Sequence, residues 1–185
     1  AAGVPLPGAL LAVTGAAGSP ALVALRALGL GDLLTAVPAL RALRAAFPEH
    51  RVVLAAPAAL APLARLTGAV DELVPAAPLR PLPDRLAGAD LAVNLHGRGP
   101  ESHRVLLALR PRGLLAFASA AAGAAGPSWR ADEHEVRRWC RLLAESGIPA
   151  DPGDLALEPP PGPPPPWAPG ATVLHPGAAA PARRW

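Results

Sequence analysis

The chain has no lysine, no methionine and no tyrosine, a single cysteine, and only four tryptophans and two phenylalanines among 185 residues. One cysteine, Cys140, cannot form an internal disulfide, so a reducing compartment is its natural setting. With so few aromatics, the core has to be built from leucine, valine and alanine at close range, and an apolar content of 51% supplies enough of them. A long uninterrupted apolar run is also missing. Residues 1–25 carry no charge, but Pro5, Pro7, Pro20 and several glycines break them up, and no basic stretch precedes them. They are expected to be neither a membrane span nor a secretion signal, and residues 1–20 are read as a loosely ordered extension. All seventeen basic residues are arginines, scattered along the chain at a net charge of +3 and never gathered into a stripe with aromatics. A nucleic-acid partner is therefore not indicated.

What the sequence does contain is an alternation of apolar runs and amphipathic stretches. The length suits one α/β domain and the start of another. Strands are expected at about 21–28, 51–55, 70–74, 90–95 and 113–118, with helices at about 33–46, 57–66, 83–87, 105–109 and 132–146, the last closed by Gly147. The β-α-β order predicts a parallel sheet with flanking helices, a Rossmann-like α/β fold over residues 21–148. From residue 149 to 170 proline dominates, peaking at 159–166, and this reads as a stiff linker. Residues 171–175 then read as the first strand of a second domain, carried by residues 171–185.

Two loops at the carboxyl ends of strands carry candidate chemistry. In the first, Gly29 and Gly31 allow a tight turn and Asp32 stands where strand gives way to helix. Asp32 reads either as a helix N-cap, typically worth about 1 kcal/mol, or as an acid presented to a ligand at the sheet edge. The second loop, from His96 to His103, places His96, Arg98, Ser102 and His103 along the same edge, where they could contact an anionic or sugar ligand. Neither histidine has a carboxylate and cysteine set at ligand spacing, so no metal site is expected, and Ser102 lacks a nucleophile-elbow context. Trp129, Trp139 and Trp167 read as packing residues. The segment from Ala12 to Gly18 is similar to the phosphate loop of short-chain dehydrogenases, but the third glycine of that pattern would fall on Ala21, and Pro20 intrudes where a helix should start.

Four segments in order carry a more extensive likeness. The string from Leu28 to Asp32 with Pro38-Ala39-Leu40-Arg41-Ala42-Leu43 resembles the opening of glycosyltransferase family 9, the heptosyltransferase-like proteins. Val70 to Val74, Asn94 to Pro100, and His175-Pro176-Gly177-Ala178 followed by Arg183-Arg184-Trp185 agree with the same family. The resemblance spans roughly residues 22–185. It implies a GT-B architecture of two Rossmann-like domains facing across a cleft, the first binding mainly the acceptor and the second mainly the nucleotide-sugar donor.

By that resemblance Asp32 is the general base that takes the proton from an acceptor hydroxyl during inverting transfer, a task that requires a carboxylate within hydrogen-bond reach. His96, Arg98, Ser102 and His103 become acceptor contacts. Gly177, Ala178 and Arg183 become the donor-phosphate loop, with arginine where the family commonly has lysine and with Ala178 and Ala179 where many relatives carry a hydroxyl. Arginine can grip phosphate through two parallel hydrogen bonds, and backbone N–H groups at a helix start could take the place of a metal. The resemblance thus implies a metal-independent enzyme without a cofactor, using a nucleotide-diphosphate sugar and a glycan or glycolipid acceptor. It would act in the cytoplasm, at the inner face of a membrane if peripherally associated, and the 185-residue piece alone is expected not to turn over. Two other readings are a non-catalytic sugar- or nucleotide-binding domain and an NAD(P)-dependent short-chain dehydrogenase.

Overall fold

The computed structural model describes residues 21–174. Five parallel strands form one sheet in the order β3-β2-β1-β4-β5: β1 (Ala21–Leu25), β2 (Arg51–Ala56), β3 (Glu72–Pro75), β4 (Leu91–Asn94) and β5 (Gly113–Leu115). Four helices accompany them: α1 (Leu30–Ala46), α2 (Ala61–Leu66), α3 (Glu101–Leu107) and α4 (Glu135–Glu145). The central strands read as near-continuous apolar runs because both faces of the sheet are covered. On one face, Leu22, Ala24, Leu54 and Val93 pack with Leu33, Leu40 and Leu43 of α1 and with Trp139, Leu142 and Leu143 of α4. On the other, Val23, Leu25, Val53 and Ala92 pack with Leu82, Leu86, Leu106 and Leu109. Leucine, valine and alanine thus make up most of this core, as the shortage of aromatics requires.

The strand order sets where a ligand can bind. The chain runs outward from β1 through β2 to β3, then crosses back so that β4 pairs with the opposite side of β1. Connections on the two sides of β1 therefore diverge at its carboxyl end. In open α/β sheets this reversal opens a crevice there.

Element boundaries depart from the sequence reading in instructive ways. β1 ends at Leu25, not 28: the Arg26 N–H still donates to the Ala55 carbonyl at 2.9 Å, but the Leu28 N–H then turns back onto the Arg26 carbonyl at 2.9 Å and leaves the sheet. β3 starts at Glu72, not 70, because Asp71 is occupied in accepting from the Val52 N–H at 2.7 Å and pairing with Arg44. α3 begins at Glu101, four residues earlier than expected, and α4 at Glu135, three later. Residues 171–174 form no strand: they are exposed and pair with no strand among the described residues. Trp167, expected to pack, is 71% exposed. The expected extension over 1–20 lies outside the described residues.

The beginning of the proline-rich stretch is not free. The Arg41 guanidinium on α1 donates through Nε to the Thr67 carbonyl at 2.9 Å, through Nη1 to Asp154, and through Nη2 to the Ala156 carbonyl. The Glu158 N–H donates to the Leu66 carbonyl at 3.3 Å. One arginine therefore ties Asp154 and Ala156 to α1, next to the Glu158–Leu66 bond, and Arg41→Ala should release the segment. We expect faster amide hydrogen exchange at Glu158 with no change in the sheet, and a loss of global stability within about 1 kcal/mol, since the ion pair is partly solvated.

Candidate functional site at the carboxyl edge of the sheet

Gly29 is the N-cap of α1 and Asp32 its third helical residue, so Asp32 is not the N-cap considered from sequence. Its Oδ2 reaches back to accept from the Gly29 N–H at 3.0 Å, while the Leu33 N–H donates to the Gly29 carbonyl at 3.1 Å. This is the acidic half of a capping box, with an extended glycine in place of serine or threonine. A methyl group at position 29 would stand 3.3 Å from Asp32 Oδ2, so glycine lets the loop and the acid approach closely. The Asp32 side chain keeps 43% of its surface open to solvent beyond the carboxyl end of β1, where the strand order reverses.

Beneath it lies the most deeply buried arginine among the described residues. Arg26 is 1% exposed. Its Nε donates to the Asp32 carbonyl at 2.9 Å, and its Nη1 to the Leu95 carbonyl at the end of β4. Its Nη2 faces Thr35 Oγ1 at 3.1 Å, Glu135 Oε2 at 3.4 Å and Asp32 Oδ1 at 3.5 Å. The guanidinium also stacks over the Trp139 ring, 4.8 Å from its centroid. Burial lowers the Arg26 pKa to about 10; Asp32 opposes that shift and Arg138 adds to it. Arg26 thus stays cationic at neutral pH, where opposite charge, carbonyl dipoles and an aromatic face replace its lost hydration.

The second loop is organised by Asn94, the last residue of β4, which is completely buried. Its Oδ1 accepts from the His96 N–H at 2.9 Å. The two Nδ2 protons are shared among the Gly97 carbonyl at 3.2 Å, Ser102 Oγ at 2.9 Å and His103 Nδ1 at 2.9 Å. His103 Nε2 lies 2.7 Å from the Phe117 carbonyl, which can only accept; the proton therefore sits on Nε2, and Nδ1 accepts from Asn94. Gly99 closes over this ring. It adopts φ +78°, and a methyl there would stand 2.3 Å from His103 Nδ1, so only glycine fits.

The expected site residues therefore separate. His96 follows the Leu95 carbonyl that Arg26 holds, and the charges of Arg26 and Asp32 both act on its ring, the first lowering its pKa and the second raising it. Arg98 is exposed on the same loop. Ser102 and His103, expected as acceptor contacts, are instead buried in α3 with their polar atoms consumed by Asn94 and Phe117, so they shape the loop and present nothing to a ligand. Gly177, Ala178 and Arg183 lie outside the described residues. Sequence reasoning passed over Arg26, Thr35, Asn94 and Glu135. A signal for Arg26 was there: it is the first charge in the chain and directly follows an apolar strand, and a charge so placed needs a partner. Among the described residues no group of three or more His, Cys, Asp or Glu side chains is arranged to hold a metal.

Solved structures with this fold include the glycosyltransferase family 9 protein from Veillonella parvula DSM 2008, similar at a TM-score of 0.56 and 15% identity over 70% of this chain and 41% of that one. The E. coli heptosyltransferase WaaC with ADP is similar at 0.52 and 17% identity, over 68% and 47% of the two chains. The E. coli ADP-heptose lps heptosyltransferase II is similar at 0.57 and 21% identity, over 76% and 44%. At these identities the likeness establishes the fold, and the chain spans less than half the length of the solved structures it matches. No protein-family model and no curated protein matches the sequence.

His96 offers a check on the local electrostatics. Burial and the nearby Arg26 cation lower its pKa below the ordinary 6.5, against a smaller opposing pull from Asp32, and its buried Nδ1 has no hydrogen-bond partner among the described residues. The unfolded chain then binds the proton more readily than the folded one, so His96 costs stability only as pH falls below 6.5. Between pH 7 and 5 the melting temperature of the native protein should drop more steeply than that of His96→Asn; parallel curves would contradict this environment.

Proposed function

We propose that this chain is the acceptor-side half of an inverting, metal-independent glycosyltransferase that moves a sugar from a nucleotide-diphosphate donor to a hydroxyl of a glycan or glycolipid. One observation carries the reading: an accessible carboxylate, Asp32, is held from behind at the carboxyl edge of the sheet where the strand order reverses. The sequence resemblance to family 9 and the fold shared with three glycosyltransferases support it independently.

In this mechanism the acceptor hydroxyl lies against Asp32 and attacks the anomeric carbon from the side opposite the diphosphate. The new oxygen–carbon bond forms as the bond to the phosphate oxygen breaks, and the hydroxyl proton passes to the Asp32 carboxylate. His96 and Arg98 line the acceptor side. His96 is held mostly neutral beside Arg26, so it can offer or accept a hydrogen bond to a sugar hydroxyl, whereas Arg98 suits an anionic group. The leaving diphosphate falls to the loop with Gly177, Ala178 and Arg183, whose guanidinium would neutralise the charge that develops there. A heptose donor is favoured because two of the fold neighbours are heptosyltransferases. The proposed setting is cytoplasmic, at a membrane's inner face for a glycolipid acceptor; no helix among the described residues is long and apolar enough to cross a membrane.

The test is transfer from nucleotide-activated heptoses and hexoses by the enzyme with both halves present, next to its Asp32→Asn variant. Loss of a positioned general base should lower kcat on the order of 10²- to 10⁴-fold. Undiminished transfer by the variant would reject Asp32 as the base.

A further inference from the structure

The site described above contains an arginine that no ligand can reach. Arg26 is buried under Asp32, yet its guanidinium reaches the Asp32 carbonyl, the Asp32 carboxylate, the end of β4, Thr35 of α1 and Glu135 of α4. Three separated parts of the chain converge on one planar group, and two of the contacts go to the same aspartate. Resting on the reading of Asp32 as general base, we infer that Arg26 is the positioning residue for that base and that Glu135 sets how closely the two may pair.

The geometry of the carboxylate gives the reason. Oδ2 is fixed by the Gly29 N–H at 3.0 Å, and Oδ1 faces the Arg26 guanidinium at 3.5 Å from Nη2, a charge contact longer than a full hydrogen bond. One hydrogen bond to Oδ2 and one cation behind Oδ1 orient the carboxylate while 43% of the side chain stays exposed. The Nε bond to the Asp32 carbonyl pins the backbone of the same residue. A bidentate arginine–carboxylate pair would be much tighter, with contacts near 2.8 Å, and would occupy lone pairs that a base needs for the incoming proton. Here Nη2 has two protons for three acceptors, and Thr35 Oγ1 and Glu135 Oε2 are both nearer than Asp32 Oδ1. Glu135 is itself held from the other side by Arg138, whose guanidinium lies 4.2 Å from the Trp129 ring centroid and donates to the Arg130 carbonyl at 2.8 Å. Arg26 therefore orients Asp32 without closing on it. If Glu135 lost its charge, the guanidinium would be free to move onto the carboxylate.

Arg26→Lys keeps a cation but loses the fork, while Glu135→Gln leaves Arg26 intact and alters a half-exposed side chain. Both are to be assayed in the enzyme with both halves present, at a temperature well below each variant's melting midpoint and per folded molecule. A misplacement of about 1 Å can cost on the order of 10²-fold in rate, so Arg26→Lys should lower kcat roughly 10- to 100-fold and Glu135→Gln about threefold or more. The KM for acceptor and for donor should stay unchanged in both, which a general loosening of the site would not produce. If Arg26→Lys fails to fold, Glu135→Gln decides alone: kcat within twofold of the native enzyme, or a raised acceptor KM at unchanged kcat, overturns the inference. Asp32→Asn separates the two ideas. A fully active Asp32→Asn removes the base itself, whereas an inactive Asp32→Asn beside fully active Arg26→Lys and Glu135→Gln removes only the positioning role.

Discussion

A guanidinium cation shut away from water is the constraint around which this fold is arranged. Isolated in an apolar interior, such a charge would cost many kcal/mol, so the chain must bring acceptors to it from wherever they can be found. The β1/α1 turn supplies the Asp32 carbonyl and carboxylate, the end of β4 supplies the Leu95 carbonyl, and α4 supplies Glu135 and the face of Trp139. Meeting that demand draws the turn, the strand end and the distant helix together at one point. That point is the carboxyl end of β1, where the strand order reverses.

A second buried polar centre does for the neighbouring loop what Arg26 does for the first. Asn94 gathers His96, Gly97, Ser102 and His103, and His103 passes the connection on to Phe117 beyond β5. Every bond in this set has a donor and an acceptor if His103 carries its proton on Nε2. The loop is thereby held so that His96 and Arg98 remain at the edge while Ser102 and His103 are spent on its support. Buried polar groups that are fully paired specify one arrangement, and here they fix which side chains of a glycine-rich loop stay open to solvent.

Much of the fold was legible from residues alone, because apolar runs buried on both faces and amphipathic helices such as α4 leave plain periodicities. The strand-to-helix turn that carries Asp32 was legible too, from the glycines that allow it. The failures share a physical cause. Ser102 and His103 look like ligand contacts in a one-dimensional string, since nothing there shows that Asn94 and the Phe117 carbonyl will claim their polar atoms. Glu135 lies 109 positions from Arg26, and no local pattern announces that pairing. The start of α1 was placed three residues late because Gly29 has no side chain to mark it.

The account holds that an outward-facing carboxylate, steadied by a hidden cation, receives a proton from an alcohol at the sheet edge. The most direct measurement is a crystal structure of the enzyme with both halves present, bound to an acceptor and an unreactive donor analogue. The account predicts an acceptor hydroxyl within about 2.6–3.2 Å of the Asp32 carboxylate, with Arg26 still beneath it and out of reach of the sugar. A reacting hydroxyl bound elsewhere, with Asp32 contacting only its own helix cap, would contradict it.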